Sequence, residues 1–159
     1  MNESNTSDTD VTQPDIESAK LLVENFKQLY QTLNKDNVHS GLLQNVYAHN
    51  INFVDSFHDI SGIDSFTDYC ESIYENVIYS RFDFHDEMIS DHQAMLTWTM
   101  HYAHPRLNGG KDISVKGTSH IKFFEKVFLH QDYVDGGKLL YEHVPVLSWV
   151  IKKLKSRMI

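Results

Sequence analysis

The sequence predicts an α+β fold in which three N-terminal helices cover one face of an antiparallel sheet, with one extra helix at the C-terminus. Apolar residues recur at helical spacing up to about residue 77, whereas later segments alternate between apolar and polar residues at a period of two. The 159 residues, 41% hydrophobic and 12% aromatic, suffice for one domain with an aromatic-rich core.

Three helical segments precede the sheet. From Asp15 to Asn34 the apolar residues lie at i, i+3, i+4 and i+7 positions after Pro14, which predicts one amphipathic helix. A short second helix is predicted over residues 42–47. A third runs from residue 63 to residue 77, with Asp64 expected as its N-cap.

Five strands are predicted from extended or alternating segments. They are Ile51–Phe57, Arg81–His85, Leu96–Tyr102, Val115–Phe123 and Val127–Asp135. Pro105 and the pair Gly109-Gly110 break the chain between the third and fourth of these strands, so a hairpin with a longish loop is expected there.

Side chains two residues apart on a strand share a face, so the two faces of the sheet can be assigned. The face expected to meet the helices carries Leu96, Trp98, Met100, Tyr102, Val115, Gly117, Ser119, Ile121 and Phe123. The outer face is polar and carries Thr97, Thr99, His101, Lys116, Thr118, His120 and Lys122.

Composition and motifs exclude several classes of function. A net charge of −8 argues against a nucleic-acid partner, because phosphate binding needs clustered Lys and Arg. Cys70 is the only cysteine, which excludes an intramolecular disulfide and CxxC sites. His101 and His104 point to opposite faces of a strand, so no metal site is expected. No nucleotide or serine-hydrolase motif occurs, and we expect no cofactor.

The chain is expected to divide into a disordered leader at residues 1–13, a folded domain at 14–143 and a C-terminal amphipathic basic helix at 144–159. The leader has no signal-peptide pattern, and a reducing, cytoplasmic location is expected. The final helix has an apolar stripe beside four basic residues. We favour packing of this helix across the open end of the folded domain over contact with an anionic membrane surface or an acidic partner.

Several segments resemble the nuclear-transport-factor-2-like superfamily, which includes SnoaL-like proteins and ketosteroid isomerases. Tyr47–Asp55, followed by a Gly and a helix, is similar to the segment after their second helix. Leu33–Asp36 resembles their first helix-to-helix turn, and Val115–Phe123 the penultimate strand of SnoaL-like domains. Asp132–Asp135 resembles the last strand of SnoaL-like cyclases. The resemblance implies a SnoaL-like cone, in which a curved antiparallel sheet wraps around the three N-terminal helices, over about residues 16–150.

The resemblance also implies catalytic positions. Asp55 falls on the general base of ketosteroid isomerases, and Asp132 on a base of SnoaL-like cyclases and limonene-epoxide-hydrolase-like enzymes. Ser119 stands where ketosteroid isomerases place an acid of the oxyanion hole, and the tyrosine of that hole would fall nearer Leu29 than Tyr30. Steroid isomerisation is therefore not implied, although the superfamily also hosts dehydratases, cyclases, hydrolases and non-catalytic binding modules.

The residues themselves offer two interpretations of each carboxylate. Asp55 shares its strand face with Phe53 and Phe57, where unpaired burial would raise its pKa; alternatively it caps the following turn in water. Asp132 could reach the cavity beside His130, or could lie on a solvated side of the last strand.

A pocket for a small hydrophobic molecule is the expected functional site, with Asp55 and Asp132 as catalytic residues. The candidate ligand-binding residues are Tyr30, Phe53, Trp98, Met100, Tyr102, Ser119, Ile121 and His130. Gly117 and Ser119 are expected to leave room by being small. The expected function is isomerase, cyclase, dehydratase or hydrolase chemistry with Asp55 as base. The alternative is a non-catalytic dimeric module that binds a ligand or a protein partner, and a homodimer through the outer sheet face is expected.

Overall fold

The computed structural model describes residues 16–143 and 145–158, so the leader expected at residues 1–13 lies outside the described residues. Its helices and strands, in chain order, are α1 (Ile16–Thr32), α2 (Leu42–Val46), β1 (Tyr47–Val54), β2 (Asp59–Ser61), α3 (Ile63–Asn76), β3 (Tyr79–Ser90), β4 (Gln93–Ala103), β5 (Ile113–Phe123), β6 (Val127–Val134), α4 (Gly136–Leu139) and α5 (Pro145–Lys155).

The six strands form one sheet in the order β2-β1-β6-β5-β4-β3. Neighbouring strands are antiparallel, except that β1 pairs with β6 in parallel. The α+β cone is therefore confirmed, with one parallel pair at the junction between the first and last long strands. The short strand β2 was not predicted, because three residues are too few to show a period.

The sheet is curved by an irregularity in β3. Phe84 pairs with Trp98 and the next pair is Glu87 with Leu96, so two residues of β3 oppose the single residue Thr97. The Thr97 hydroxyl accepts the backbone N–H of the second of these residues at 3.0 Å. Such a bulge bends a strand and increases its twist. It also reverses which residues of β3 face inward, from even-numbered before the bulge to odd-numbered after it.

Helices α1 and α3 cover the concave face of the sheet. Their apolar stripes bury Ala19, Val23, Phe26 and Leu29 of α1 and Ile63, Phe66, Cys70 and Tyr74 of α3. Lys27 of α1 is paired with Glu87 of β3 at 2.8 Å, which fixes the helix against the edge of the sheet. The space between the helices and the far half of the concave face is left open.

The start of α3 differs from the prediction. Its N-cap is Gly62, which has φ 90°, and Asp64 lies in the first turn. A residue with a side chain is disfavoured at this φ, which explains the glycine. Asp64 still favours the helix start, because its negative charge lies near the positive end of the helix dipole.

Gly117 makes room for an aromatic side chain of the protein rather than for a ligand. A Cβ built at Gly117 would lie 2.2 Å from Cη2 of Trp98, the residue directly opposite on β4. The Trp98 indole therefore lies flat over the Gly117 backbone, and its Nε1 donates to Ser119 Oγ at 2.9 Å. The expectation that Gly117 and Ser119 enlarge the pocket is corrected accordingly.

The chain after β6 is more helical than predicted. Asp135 caps α4 by accepting backbone N–H groups of Gly137 and Lys138 at 2.9 and 3.2 Å. A single 3-10 turn over Tyr141–His143 then leads toward α5. In the part of the chain that the structure describes, no helix is long and apolar enough to cross a bilayer.

Substituting Gly117→Ala should lower the free energy of unfolding by about 1–3 kcal/mol, because the new methyl group collides with the buried Trp98 ring. Urea titration followed by circular dichroism measures this change. In a Trp98→Phe background the shorter ring should accommodate the methyl group, so the same substitution should cost clearly less. An equal cost in both backgrounds would contradict the packing described.

Candidate functional site

A cavity of about 580 Å³ lies between the concave face of the sheet and helices α1 and α3, a size typical of small-molecule sites. Its walls are mainly apolar and aromatic. The lining residues are Tyr30, Phe53, Asp55, Phe57, His58, Phe66, Tyr69, Cys70, Ser72, Ile73, Tyr74, Val77, Ser80, Phe82, Trp98, Met100, Tyr102, His104, Arg106, Leu107, Asp132, Val134, Leu139 and Leu140.

Most of the residues proposed from the sequence line this cavity, and three do not. Those on its wall are Tyr30, Phe53, Asp55, Trp98, Met100, Tyr102 and Asp132. Ser119 and His130 are buried behind the wall and contact Asp132. Ile121 is fully buried in the core opposite Ala94 and His130, so the structure places it away from a ligand.

Asp55 lies just after β1, which ends at Val54, where it caps the following turn and also lines the cavity. Its Oδ1 accepts the backbone N–H groups of Phe57 and His58 at 2.7 Å each, so it caps the turn. Its Oδ2 accepts the Tyr69 hydroxyl at 2.6 Å from across the cavity wall. The side chain is only 10% exposed.

These donors determine the acidity of Asp55. Burial by itself raises the pKa of the carboxyl group, but the hydrogen bonds from Tyr69, Phe57 and His58 favour the charged form and together outweigh burial. The net pKa lies below its ordinary value, because the carboxylate is paired and the rise expected for unpaired burial does not apply. Asp55 is a fully paired, weakly basic carboxylate at neutral pH.

Asp132 is held by two donors on one oxygen. Its Oδ1 accepts the Ser119 hydroxyl at 2.5 Å and lies 2.8 Å from His130 Nε2. Trp98 Nε1 donates to the Ser119 oxygen, which fixes the direction in which that hydroxyl points. Asp132 Oδ2 has no hydrogen-bond partner within residues 16–143 and 145–158. The cavity wall therefore holds a carboxylate with one oxygen occupied and one unused.

His130 links Asp132 to two tyrosines. Its Nδ1 lies 2.8 Å from the Tyr47 hydroxyl, which is 2.7 Å from the Tyr30 hydroxyl. Because a carboxylate only accepts, a neutral His130 carries its single ring proton on Nε2, and we infer that Tyr47 donates to Nδ1 and that Tyr30 donates to Tyr47. The imidazole is 1% exposed and has a partner on both nitrogens. The result is one directed chain of hydrogen bonds from Tyr30 to Asp132.

Three titratable groups in or beside this chain, Tyr30, Tyr47 and Cys70, have raised pKa values that keep them uncharged at neutral pH. Burial raises the pKa of Tyr30 and of Tyr47 well above the ordinary value, so both remain protonated donors. Cys70 also lines the cavity, and burial raises its pKa to about 12. Its thiol is therefore protonated and unreactive at neutral pH, consistent with a packing role.

Two important residues were not singled out from the sequence. Tyr47 was assigned to the second helix, but it begins β1 and is almost completely buried. Tyr69 was read only as part of the apolar stripe of α3. In both cases the signal available was the phenol itself, because a buried tyrosine hydroxyl needs a polar partner.

Arg106 at the mouth of the cavity was also missed. It is the only Lys or Arg among the lining residues, and it follows Pro105 in the loop after β4, a position without periodic signal.

The described residues contain no group of three or more His, Cys, Asp or Glu side chains able to hold a metal ion.

Comparison with known proteins supports the fold and names a family. The SnoaL-like domain family matches residues 26–126. No curated protein matches the chain. A candidate hydroxylase, AclR from Streptomyces galilaeus, is similar in structure with a TM-score of 0.62 and 15% identity, over 79% of this chain and 95% of that one.

Two further solved structures are similar. A candidate SnoaL-like polyketide cyclase from Jannaschia sp. CCS1 has a TM-score of 0.64 and 9% identity, over 89% of this chain and 97% of that one. Another from Shewanella putrefaciens CN-32 has a TM-score of 0.62 and 16% identity, over 77% and 93%. At these identities the likeness demonstrates the shared cone fold.

Substituting Tyr69→Phe should raise the pKa of Asp55 and lower the free energy of unfolding at pH 7 by about 1–2 kcal/mol, because the carboxylate loses a buried donor. A lowered folded pKa stabilises the protein above the unfolded value, and this contribution is lost as the pH falls through the folded value. The difference from wild type should therefore narrow below pH 3.8, the ordinary value.

Urea titration across this pH range and NMR titration of the Asp55 carboxyl measure both effects. Tyr79→Phe is the matched control, since Tyr79 also donates to an aspartate, Asp112, but on the exposed surface. Equal effects of the two substitutions would show that burial of the Asp55 pair contributes nothing.

Proposed function

The chain belongs to the SnoaL-like domain family, and we propose that its cavity binds a flat or bulky apolar small molecule on which Asp132 acts as the proton acceptor. The walls supply rings from several directions, among them Phe53, Phe82 and Trp98. Such walls favour a ligand with aromatic or fused-ring character, because stacking and apolar contact are the main interactions on offer.

The observation that carries this proposal is the unequal pairing of the two cavity carboxylates. Asp55 has both oxygens engaged by donors, and its pKa is lowered. Asp132 has both donors on Oδ1, which leaves Oδ2 for a ligand. We therefore assign the base to Asp132 rather than to Asp55, and give Asp55 the role of holding the turn that closes the cavity.

The chemistry suited to this arrangement is proton removal from a carbon next to a carbonyl group. Asp132 Oδ2 takes the proton, and the electron pair of the broken C–H bond moves into the carbonyl to form an enolate. Return of the proton to another carbon gives an isomer. Attack of the enolate on a second carbonyl of the same molecule forms a C–C bond that closes a ring, and the resulting alkoxide takes the proton back from Asp132 Oδ2. Both outcomes are redox-neutral, and His130 and Ser119 keep the carboxylate oriented throughout.

A non-catalytic binding module is the second candidate function. The observation that favours it is the predominance of apolar side chains in the cavity wall, which can retain a hydrophobic metabolite without any reaction. The two functions share the same occupant and differ only in what Asp132 does to it. They can be separated by measuring binding and proton exchange on the same compounds.

Hydrogen–deuterium exchange at the activated carbon of a bound ketone tests the base assignment directly. Compounds with fused rings and an acidic C–H bond, together with terpenoid and steroid ketones, are first screened for binding by thermal shift. For a compound that binds, Asp132→Asn should slow NMR-detected exchange in D₂O by about a hundredfold or more, because the amide cannot take the proton. Asp55→Asn should leave exchange within about tenfold of wild type.

Each outcome of this experiment is informative. Exchange that survives in Asp132→Asn and is lost in Asp55→Asn would return the base to Asp55. Binding without exchange in the wild-type protein would favour the non-catalytic function. Absence of binding across the whole panel, at concentrations up to the solubility limit of each compound, would count against an apolar ligand.

Filling the cavity should abolish binding without unfolding the protein. Met100→Trp places a bulky ring in the open space and should weaken any compound of the panel by at least about tenfold, since each buried methylene displaced contributes about 0.8 kcal/mol. The matched control is Met95→Trp, five residues earlier on the same strand, where the side chain is partly exposed and does not line the cavity. Isothermal titration calorimetry gives both affinities.

A further inference from the structure

Helix α5 (Pro145–Lys155) carries an apolar stripe that the rest of the described chain does not cover, and we propose that this helix binds the surface of an anionic lipid membrane. Leu147, Val150, Ile151 and Leu154 lie at i, i+3, i+4 and i+7 positions, so their side chains project from one side of the helix. This inference is independent of the cavity and of the chemistry proposed for it.

The stripe is exposed although it is hydrophobic. Leu147 is 43% exposed, Val150 is 39% exposed and Leu154 is 55% exposed, whereas Ile151 is half-buried. Met158, one turn beyond Leu154, is exposed as well. If α5 packed against the rest of the domain through this stripe, these side chains would be buried. The stripe is therefore left available to another surface.

The expected packing of this helix across the mouth of the cone is corrected by the same observations. Leu139 of α4 and Leu140 line the cavity, whereas none of the α5 side chains that the structure describes does so. The Tyr102 hydroxyl donates to the Leu139 carbonyl and holds α4 in that position. The mouth of the cavity is thus occupied by α4, and the described side chains of α5 do not contribute to its wall.

The charges beside the stripe favour an anionic surface. Residues 145–158 include Lys152, Lys153, Lys155 and Arg157 and no Asp or Glu, in a chain that has 22 acidic residues and a net charge of −8. Lys153 and Lys155 lie on the two sides of the stripe, where long side chains reach lipid headgroups while the apolar residues enter the membrane. Each basic residue near an anionic surface adds attraction.

Trp149 lies on the side of the helix away from the stripe, because it is two residues from both Leu147 and Ile151. It is 63% exposed, and the Lys153 ammonium lies 4.8 Å from the centre of its ring. Trp149 and Lys153 therefore face the headgroups and water while the stripe faces the hydrocarbon. The 11 residues of α5 span only about 16 Å, so the helix lies along the surface rather than across the bilayer.

The acidic remainder of the chain determines the orientation and strength of this contact. An anionic membrane repels the body of the protein, so the helix should be the part that approaches the lipid. A stripe of four apolar residues and four cations gives reversible binding that weakens as salt is added. We therefore expect association with anionic vesicles at low ionic strength and release at high ionic strength.

Vesicle co-sedimentation with the full chain tests the proposal. Vesicles of phosphatidylcholine with 30% phosphatidylglycerol should bind the wild-type protein, and pure phosphatidylcholine vesicles should bind at least about tenfold less. The triple variant Lys152→Glu, Lys153→Glu, Lys155→Glu should lose binding by at least about tenfold. Its charge-matched control reverses the exposed body lysines Lys111, Lys116 and Lys122, and should retain much more binding.

Tryptophan fluorescence of the double variant Leu147→Trp, Trp149→Phe provides the second measurement, because its new ring lies on the stripe while Trp98 is buried. Anionic vesicles should shift the emission of this variant to shorter wavelength and should leave the emission of Trp149→Phe unchanged. Absence of binding at low salt, equal loss in the two charge variants, or an unchanged emission would each overturn the proposal. The proposal would also be overturned if light scattering showed a stable dimer that the double variant Leu147→Ser, Leu154→Ser dissociates, while the wild-type protein bound no vesicles.

Discussion

The arrangement of the whole domain depends on one buried imidazole. His130 is bonded on both nitrogens inside an aromatic core, with the rings of Phe26 and Phe53 about 5 Å from its own. Its hydrogen-bond chain joins α1, β1, β6, β5 and β4. Each buried polar group left without a partner costs about 1–3 kcal/mol, so these elements must keep their spacing for all of the bonds to form together. A polar chain of this kind selects one packing among the many that an aromatic core allows.

The same constraint separates the roles of the two acidic residues at the cavity. Asp132 belongs to the directed chain and receives its donors from two neighbouring strands of the sheet. Asp55 receives its donors from a turn and from α3, so its bonds hold a loop against a helix. Two carboxylates in one cavity thus differ because of the elements that surround them, and the identity of the residue does not distinguish them.

The sequence predicts the elements well and the site only in part. The long helices and strands follow from periodicity, because burial of one face acts on every turn or every second residue. The pairing of Asp55 could not be predicted, since it depends on backbone N–H groups of a turn and on a phenol fourteen residues away. Gly117 was misassigned because a small residue shows that space is needed without showing which neighbour fills it. His130 was visible as a polar residue on an inward face, but its partners come from elements distant in sequence.

The bulge in β3 has a consequence for how distant relatives are compared. Before it Phe84 faces inward, and after it Ile89 faces inward while Met88 is 71% exposed, so the inward positions change parity within one strand. An ungapped alignment with a relative whose bulge lies elsewhere would match core residues with surface residues on one side of the irregularity. At 9–16% identity, such an error would make true equivalents look like unrelated substitutions. Alignments of this fold should therefore be anchored on the hydrogen-bond register of β3 and β4.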